Sequence, residues 1–139
     1  MKRVVAQVPW VRDWGYSRAT RIGPLIEVAG TTAGKADGTV EGRGDLYTQT
    51  AYALSVVLAA VEQLGGSKED IVRTRVFLRD LADWREAGRA HVEVFGEQLP
   101  ASSCLGGLQF LDEDLLVEVE ATAYVRDATH DPSAAAETT

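Results

Sequence analysis

The segment Asp45 to Leu64 constrains the fold more than any other. Its apolar positions Leu46, Ala53, Leu54, Val57, Leu58, Val61 and Leu64 recur at spacings of three and four, and Gly65-Gly66 supplies the stop. A helix with one apolar stripe draws its stability from whatever covers that stripe, so an apolar surface must lie nearby. The following residues supply it. Ile71 to Leu78 alternates, with Val72, Thr74, Val76 and Leu78 expected on one face and Arg73, Arg75, Phe77 and Arg79 on the other. A second helix is expected after Asp83, a plausible N-cap with Glu86 three residues on. Trp84, Ala87, His91, Val94 and Phe95 trace its apolar face, and Pro100 prevents its continuation. Leu115 to Val125 reads as a long strand with Val117, Val119, Ala121, Ala123 and Val125 inward.

The N-terminal third is strand and loop. Val4 to Val8 reads as an edge strand, and Arg18–Ile22 and Leu25–Ala29 as a hairpin turned by Gly23-Pro24. Gly30, Gly34, Gly38, Gly42 and Gly44 exclude a helix between positions 30 and 44 and predict a surface loop. The order of elements predicts an α+β domain over residues 1–126, a mixed sheet with two helices packed on one face. The opposite face mixes Phe77 and Tyr124 with Arg73, Arg75, Glu118 and Glu120, a composition suited to burial against another subunit. Residues 127–139 carry Asp, Thr, Pro, Ser, Ala and Glu and are expected to form a disordered tail.

Charge narrows the partners. Lysine and arginine total 14 against 21 acidic residues, a formal net charge of -7, so nucleic acid and anionic membrane are unlikely partners by electrostatics. Cys104 is the single cysteine, and no signal peptide or bilayer-length apolar run is visible, which makes the cytoplasm the expected location. Gly30-Thr31-Thr32-Ala33-Gly34-Lys35 fails as a phosphate loop, having three residues between its glycines and Ala36 after the lysine. No metal or cofactor is expected.

Several collinear segments match one known pattern. Val72-Arg73-Thr74-Arg75-Val76-Phe77-Leu78-Arg79-Asp80-Leu81 is similar to V-K-T-x-V-F-L-x-D-L, with Asp83-Trp84 in the place of D-F. Phe95-Gly96-Glu97 with Pro100-Ala101 fits F-x-E-x-x-P-A, and Gly15-Tyr16-Ser17-Arg18-Ala19 looks like G-P-Y-S-Q-A without its proline. Pro100-Ala101-Ser102-Ser103-Cys104, followed by the strand Leu116-Val117-Glu118-Val119-Glu120-Ala121, resembles a closing P-A-R-S-x motif. From Trp14 to Val125 the chain thus resembles the RidA (YjgF) family of enamine/imine deaminases. The resemblance implies the chorismate-mutase-like fold, a homotrimer with clefts at the subunit interfaces, and a small-molecule substrate. It implies a water-positioning glutamate at Glu120 and a cleft tyrosine at Tyr16. The family's arginine, which holds a substrate carboxylate, has Ser102 in its place. Ala29-Gly30-Thr31 stands for S-G-Q, and Gly88 for a frequent asparagine. The expected substrate-binding set is therefore Tyr16, Thr31, Ser102, Ser103 and Cys104.

Each residue has two readings. A carboxylate in a partly desolvated cleft can orient the water that attacks an imine, or Glu120 can pair with Arg73 or Arg75 across strands or across subunits, as can Glu118, which is read as structural. Cys104 is a nucleophile or a small buried hydrophobe, and His91 an acid/base group or a satisfied, partly buried histidine. Ser102 and Ser103 donate to a neutral carbonyl or hydroxyl, or serve a turn or helix cap. Trp10 and Trp14 stack on a ligand or pack an edge. Losing a charged anchor removes about 1.5–3 kcal/mol, which disfavours the usual 2-imino acids. The expected function is hydrolysis of an enamine, imine or related reactive metabolite without that carboxylate. A noncatalytic trimer that binds small molecules or acts as a chaperone, and a tautomerase using the same cleft, are the alternatives. The family's endoribonuclease label finds no support in a basic stripe or a histidine pair.

Overall fold

The computed structural model describes residues 1–126, and the expected tail 127–139 lies outside the described residues. Six strands form one sheet in the order β1-β2-β3-β6-β4-β5. They are β1 (Lys2–Val5), β2 (Ser17–Ile22), β3 (Leu25–Thr31), β4 (Ile71–Leu78), β5 (Ala101–Leu105) and β6 (Val117–Tyr124). All neighbours are antiparallel except β4 and β5, so the sheet is mixed. The helices are α1 (Val11–Trp14), α2 (Leu46–Gln63) and α3 (Trp84–Phe95). Among the described residues no helix is long and apolar enough to cross a membrane.

Helix α2 begins at Asp45, whose side chain accepts from the Thr48 N–H at 3.0 Å. It ends where Gly65 turns to φ +86°, letting the Gly65 and Gly66 N–H groups reach the carbonyls of Glu62 and Val61. Its buried residues Ala53, Leu54, Val57, Ala60 and Val61 meet Ile26, Val28, Val119, Ala121 and Ala123 of the sheet in one core. Helix α2 lies over β2, β3 and β6, and α3 packs beside it. Burying that stripe is what selects this face of the sheet.

Four local expectations change. Asp83 makes no side-chain cap; Asp80 accepts instead from the Ala82 N–H at 2.9 Å, capping a 3-10 turn over Leu81–Asp83, while Glu86 pairs with Arg89. The fully buried residues of α3 are Ala87, Ala90 and Phe95, Val94 packs against the core as expected, and Trp84 is 44% exposed. In β4 the register slips between Ile71 and Arg73, so Ile71 is buried and Val72 is 51% exposed. A single extra residue reverses the face on which a side chain falls. Finally, Ala101–Leu105, where a turn or helix cap is one reading of the serines, is strand β5. Its polar sequence has no alternation to betray it, and pairing with β4 makes it a strand.

The sheet face away from the helices carries Arg73, Arg75, Phe77, Glu118, Glu120 and Tyr124, and among the described residues neither α2 nor α3 packs on it. Leu105 on β5 is 55% exposed there.

Candidate active site

A cleft of about 980 Å³ opens on that face, lined by Trp10, Trp14, Tyr16, Arg18, Ala29, Gly30, Phe110, Glu118 and Glu120 among others. Three strands build its floor. Strand β6 places Glu118 and Glu120 two residues apart and so on one side of the sheet. Strand β3 bulges between Val28 and Thr31 beside them, and β2 supplies Arg18.

Arg18 is only 7% exposed. Its Nη1 donates to the Gly30 carbonyl at 2.7 Å and to Thr31 Oγ1 at 3.0 Å, and Nη2 lies 3.5 Å from Tyr16 Oη. The guanidinium carbon sits 5.6 Å from the centre of the Tyr16 ring, within cation–π range. Trp10 Nε1 donates to Tyr16 Oη at 3.1 Å, which fixes the phenol at one wall. The bulge in β3 is what turns the Gly30 carbonyl away from the ladder and toward Arg18.

Glu118 is a perturbed carboxylate in this cleft. Burial raises its pKa above the ordinary range, the neighbouring Glu120 charge raises it further, and Arg18 pulls it down. Its side chain lies over Gly30, where a Cβ would fall on the carboxylate. Gly30→Ala is therefore expected to fold with nearly normal stability, since a flexible carboxylate moves aside cheaply, but to expel Glu118 from its place. Measuring the Glu118 pKa by side-chain carboxyl NMR checks this: it should fall toward the ordinary value, and an unchanged titration would sink the assignment.

The residues expected from sequence occupy three places. Tyr16 and Glu120 line the cleft. Thr31 is 1% exposed and braces Arg18, while its own hydroxyl donates to the Ala29 carbonyl at 2.8 Å. The serines sit on β5, at the far edge of the sheet. Ser103 pairs in register with Arg75, itself in register with Glu120, and accepts from Arg73 Nη2 at 3.1 Å. Ser102 pairs with Thr74, whose side chain points toward α3, so one chain does not bring Ser102 together with Glu120. Cys104 is exposed, not the buried hydrophobe considered above, and partial burial pushes its thiol pKa up, which leaves little thiolate at neutral pH.

The cross-strand ion pairs considered for Glu118 and Glu120 are absent among the described residues, whose pairs are Lys35–Glu41, Arg43–Asp114 and Arg89–Glu86. Sequence reading passed over Arg18 and Phe110 and set Glu118 aside. The available signal for Arg18 was a charge beside Ala19 inside an apolar hairpin strand. Glu118 and Glu120 share their sequence pattern, and the place of Glu118 against Gly30 is not legible in it.

The Endoribonuclease L-PSP family model matches residues 12–125. An uncharacterised protein of Streptomyces coelicolor is 39% identical over 124 residues, 89% of this chain and 92% of that protein. The 3-aminoacrylate deaminase RutC of Acinetobacter baylyi is 29% identical over 79% of this chain and 86% of its own. Among solved structures, a YjgF-family member from Mycobacterium tuberculosis is 40% identical with a TM-score of 0.79, covering 89% of this chain and 98% of its own.

Proposed function

Because the chain belongs to the RidA/YjgF family, whose family model bears the name Endoribonuclease L-PSP, we propose that it hydrolyses a small enamine or imine to a carbonyl compound and ammonia. The observation that carries this reading is a desolvated carboxylate, Glu118, beside a second carboxylate and a buried arginine in an aromatic-walled cleft. The relative that deaminates 3-aminoacrylate supports the reaction class.

In the proposed step a water held by the Glu118–Glu120 pair adds through oxygen to the imine carbon, and the C=N electron pair moves onto nitrogen. Glu118 takes the proton of the attacking water and returns it to nitrogen. Glu118 next takes the hydroxyl proton of the resulting carbinolamine and passes it to the nitrogen as the C–N bond breaks, so ammonia leaves, the carbonyl forms, and the sum is imine plus water giving carbonyl plus ammonia. A raised carboxyl pKa suits this shuttle, because the group must both accept and release the proton. Tyr16 and Trp10 shape the wall, and Glu120 holds the water and tunes Glu118.

The assembly is proposed to be a homotrimer with the open sheet face inside, since Leu105 and Tyr124 there are exposed and Phe77 is only partly buried. Such packing gives Ser102 and Ser103 of one copy access to the cleft of the next. Light scattering should return three times the chain mass at micromolar concentration, and a stable monomer would remove the shared cleft. A reducing cytoplasm suits the lone exposed Cys104.

The proposed substrate lacks the usual carboxylate, because Ser102 stands in the place of the arginine. The reaction is tested with 2-imines generated in situ in pairs, one bearing a carboxylate and one the corresponding primary amide, with ammonia release as the readout. Faster hydrolysis of the amide is expected. Robust turnover of the acid, 2-aminoacrylate included, would refute the inference from Ser102, and no acceleration of either would leave only a binding role.

A further inference from the structure

Outside the carboxylate cleft, three side chains form a continuous hydrogen-bonded line from the helix layer to the exposed edge of the sheet. His91 on α3 packs against Phe95, ring centres 4.8 Å apart, and its Nε2 lies 2.8 Å from Thr74 Oγ1. Thr74 on β4 is 0% exposed, and its hydroxyl donates to Ser102 Oγ at 2.7 Å. Ser102 itself is exposed on β5. A threonine hydroxyl has one hydrogen. If it is given to Ser102, then His91 Nε2–H must donate to Thr74, and the Ser102 proton is left to point outward. If the line reverses, Ser102 donates inward through Thr74 to an unprotonated Nε2, and Ser102 Oγ turns its lone pairs outward.

We propose that Ser102 is the contact end of this His91–Thr74–Ser102 relay, and that the relay is a neutral recognition element for an uncharged amide, carbonyl or hydroxyl of the substrate. The inference rests on the hydrolytic reading above only for the identity of the bound molecule, and it deepens that reading by naming the group recognised.

The physical case is the contrast with an arginine. A guanidinium is fixed as a donor and fixed in charge, so it selects anions. The relay is amphoteric: two coupled hydroxyls and an imidazole can present either a proton or a lone pair at Ser102 without any charge appearing. An anion at Ser102 would be stabilised best by a proton on His91, yet burial pulls the imidazole pKa down and keeps it neutral. Thr74 cannot turn to water for a partner because it is fully buried, so its orientation is set by its two neighbours alone. Thr74 and His91 are thus positioning residues, and Ser102 is the contact.

The test uses direct binding of two stable product-like probes to the full chain, 2-oxobutanamide and 2-oxobutanoate, by titration calorimetry with 15N NMR of the histidine ring. The expected result is tighter binding of the amide, with a shift in the His91 Nε2 resonance although the probe touches only Ser102. Ser102→Ala should weaken amide binding roughly three- to tenfold and leave the acid unchanged. Thr74→Val keeps the shape of the buried residue but breaks the line, and should weaken the amide comparably and abolish the His91 shift. Thr74→Ser should restore both. Should Thr74→Val fail to fold, the His91 shift in the native chain and its loss in Ser102→Ala decide the matter.

Tighter binding of the acid overturns the proposal, and loss of that preference in Arg18→Gln would place the anchor at Arg18. An amide affinity or His91 resonance indifferent to Ser102→Ala overturns it as well. Amide-selective binding without any hydrolysis would uphold the relay while refuting the reaction.

Discussion

Glu118→Gln should lower imine hydrolysis by about 10²–10⁴-fold at neutral pH, the range for removing a general acid/base group, without lowering thermal stability. The two halves of this result have one cause. Glu118 is held where burial, then the Glu120 charge, disfavours its ionised form. A carboxyl whose folded pKa is raised contributes stability that is complete below its unfolded pKa and is lost as pH rises through the folded value. Above the folded value that contribution is gone, so there replacing the carboxylate by an amide removes a cost, and the melting temperature should hold or rise. The same shifts give the pH profile. As the proton acceptor, Glu118 must be ionised, so the acidic limb of the rate should lie above that of an ordinary carboxylate. Glu120→Gln removes a cause that raises the Glu118 pKa and should move the limb to lower pH, whereas Arg18→Gln removes the cause that lowers it and should move the limb up. Equal losses in Glu118→Gln and Glu120→Gln with an unmoved limb would show that Glu118 is not the proton carrier.

Gln49→Leu is expected to cost about 3 kcal/mol of folding stability although it exchanges a polar core residue for an apolar one of similar size. Gln49 sits in α2 at 0% exposure, and all of its side chain is used. Nε2 donates to the carbonyls of Gly42 at 3.2 Å and Asp114 at 2.9 Å, and Oε1 accepts from the Leu116 N–H at 2.9 Å. The side chain ties the loop before α2 to the chain that leads into β6. Leucine would orphan the Leu116 N–H and the Asp114 carbonyl, each costing about 1–3 kcal/mol when water cannot reach it, while the Gly42 carbonyl keeps the Asp45 N–H. Because Leu115 lines the cleft and Glu118 follows closely on Leu116, the variant should also loosen the site. Urea unfolding measures the first effect, and a midpoint that moves by less than 1 kcal/mol equivalent would show that the loops re-pair with water. Activity at a temperature where the variant remains folded measures the second.

Gln49 also shows why part of the molecule was hidden. It lies on the same helical face as Ala53, Leu54 and Val57, but polarity removes it from an apolar pattern even though its burial is complete. The inverse holds for Val72, which fits the alternation of β4 and is exposed because the register slips beside it. Strand β5 shows a third limit, since a run such as Ala101-Ser102-Ser103-Cys104 has no intrinsic pattern and becomes a strand by pairing with β4.

By itself the sequence determined the α+β order of strands and helices, the apolar stripe of α2, the inward row of β6 and the family to which the chain belongs. The elements follow from periodicity and the family from the resemblance of motifs, and both are properties of neighbours along the chain. Only the tertiary structure decided that Glu118 is desolvated over Gly30, that Arg18 is buried against Gly30 and Thr31, and that Ser102 connects through Thr74 to His91. Burial and hydrogen bonding depend on residues far apart in sequence, here Gly30 with Glu118 and His91 with Ser102 by way of Thr74, and no local pattern carries the distance between them.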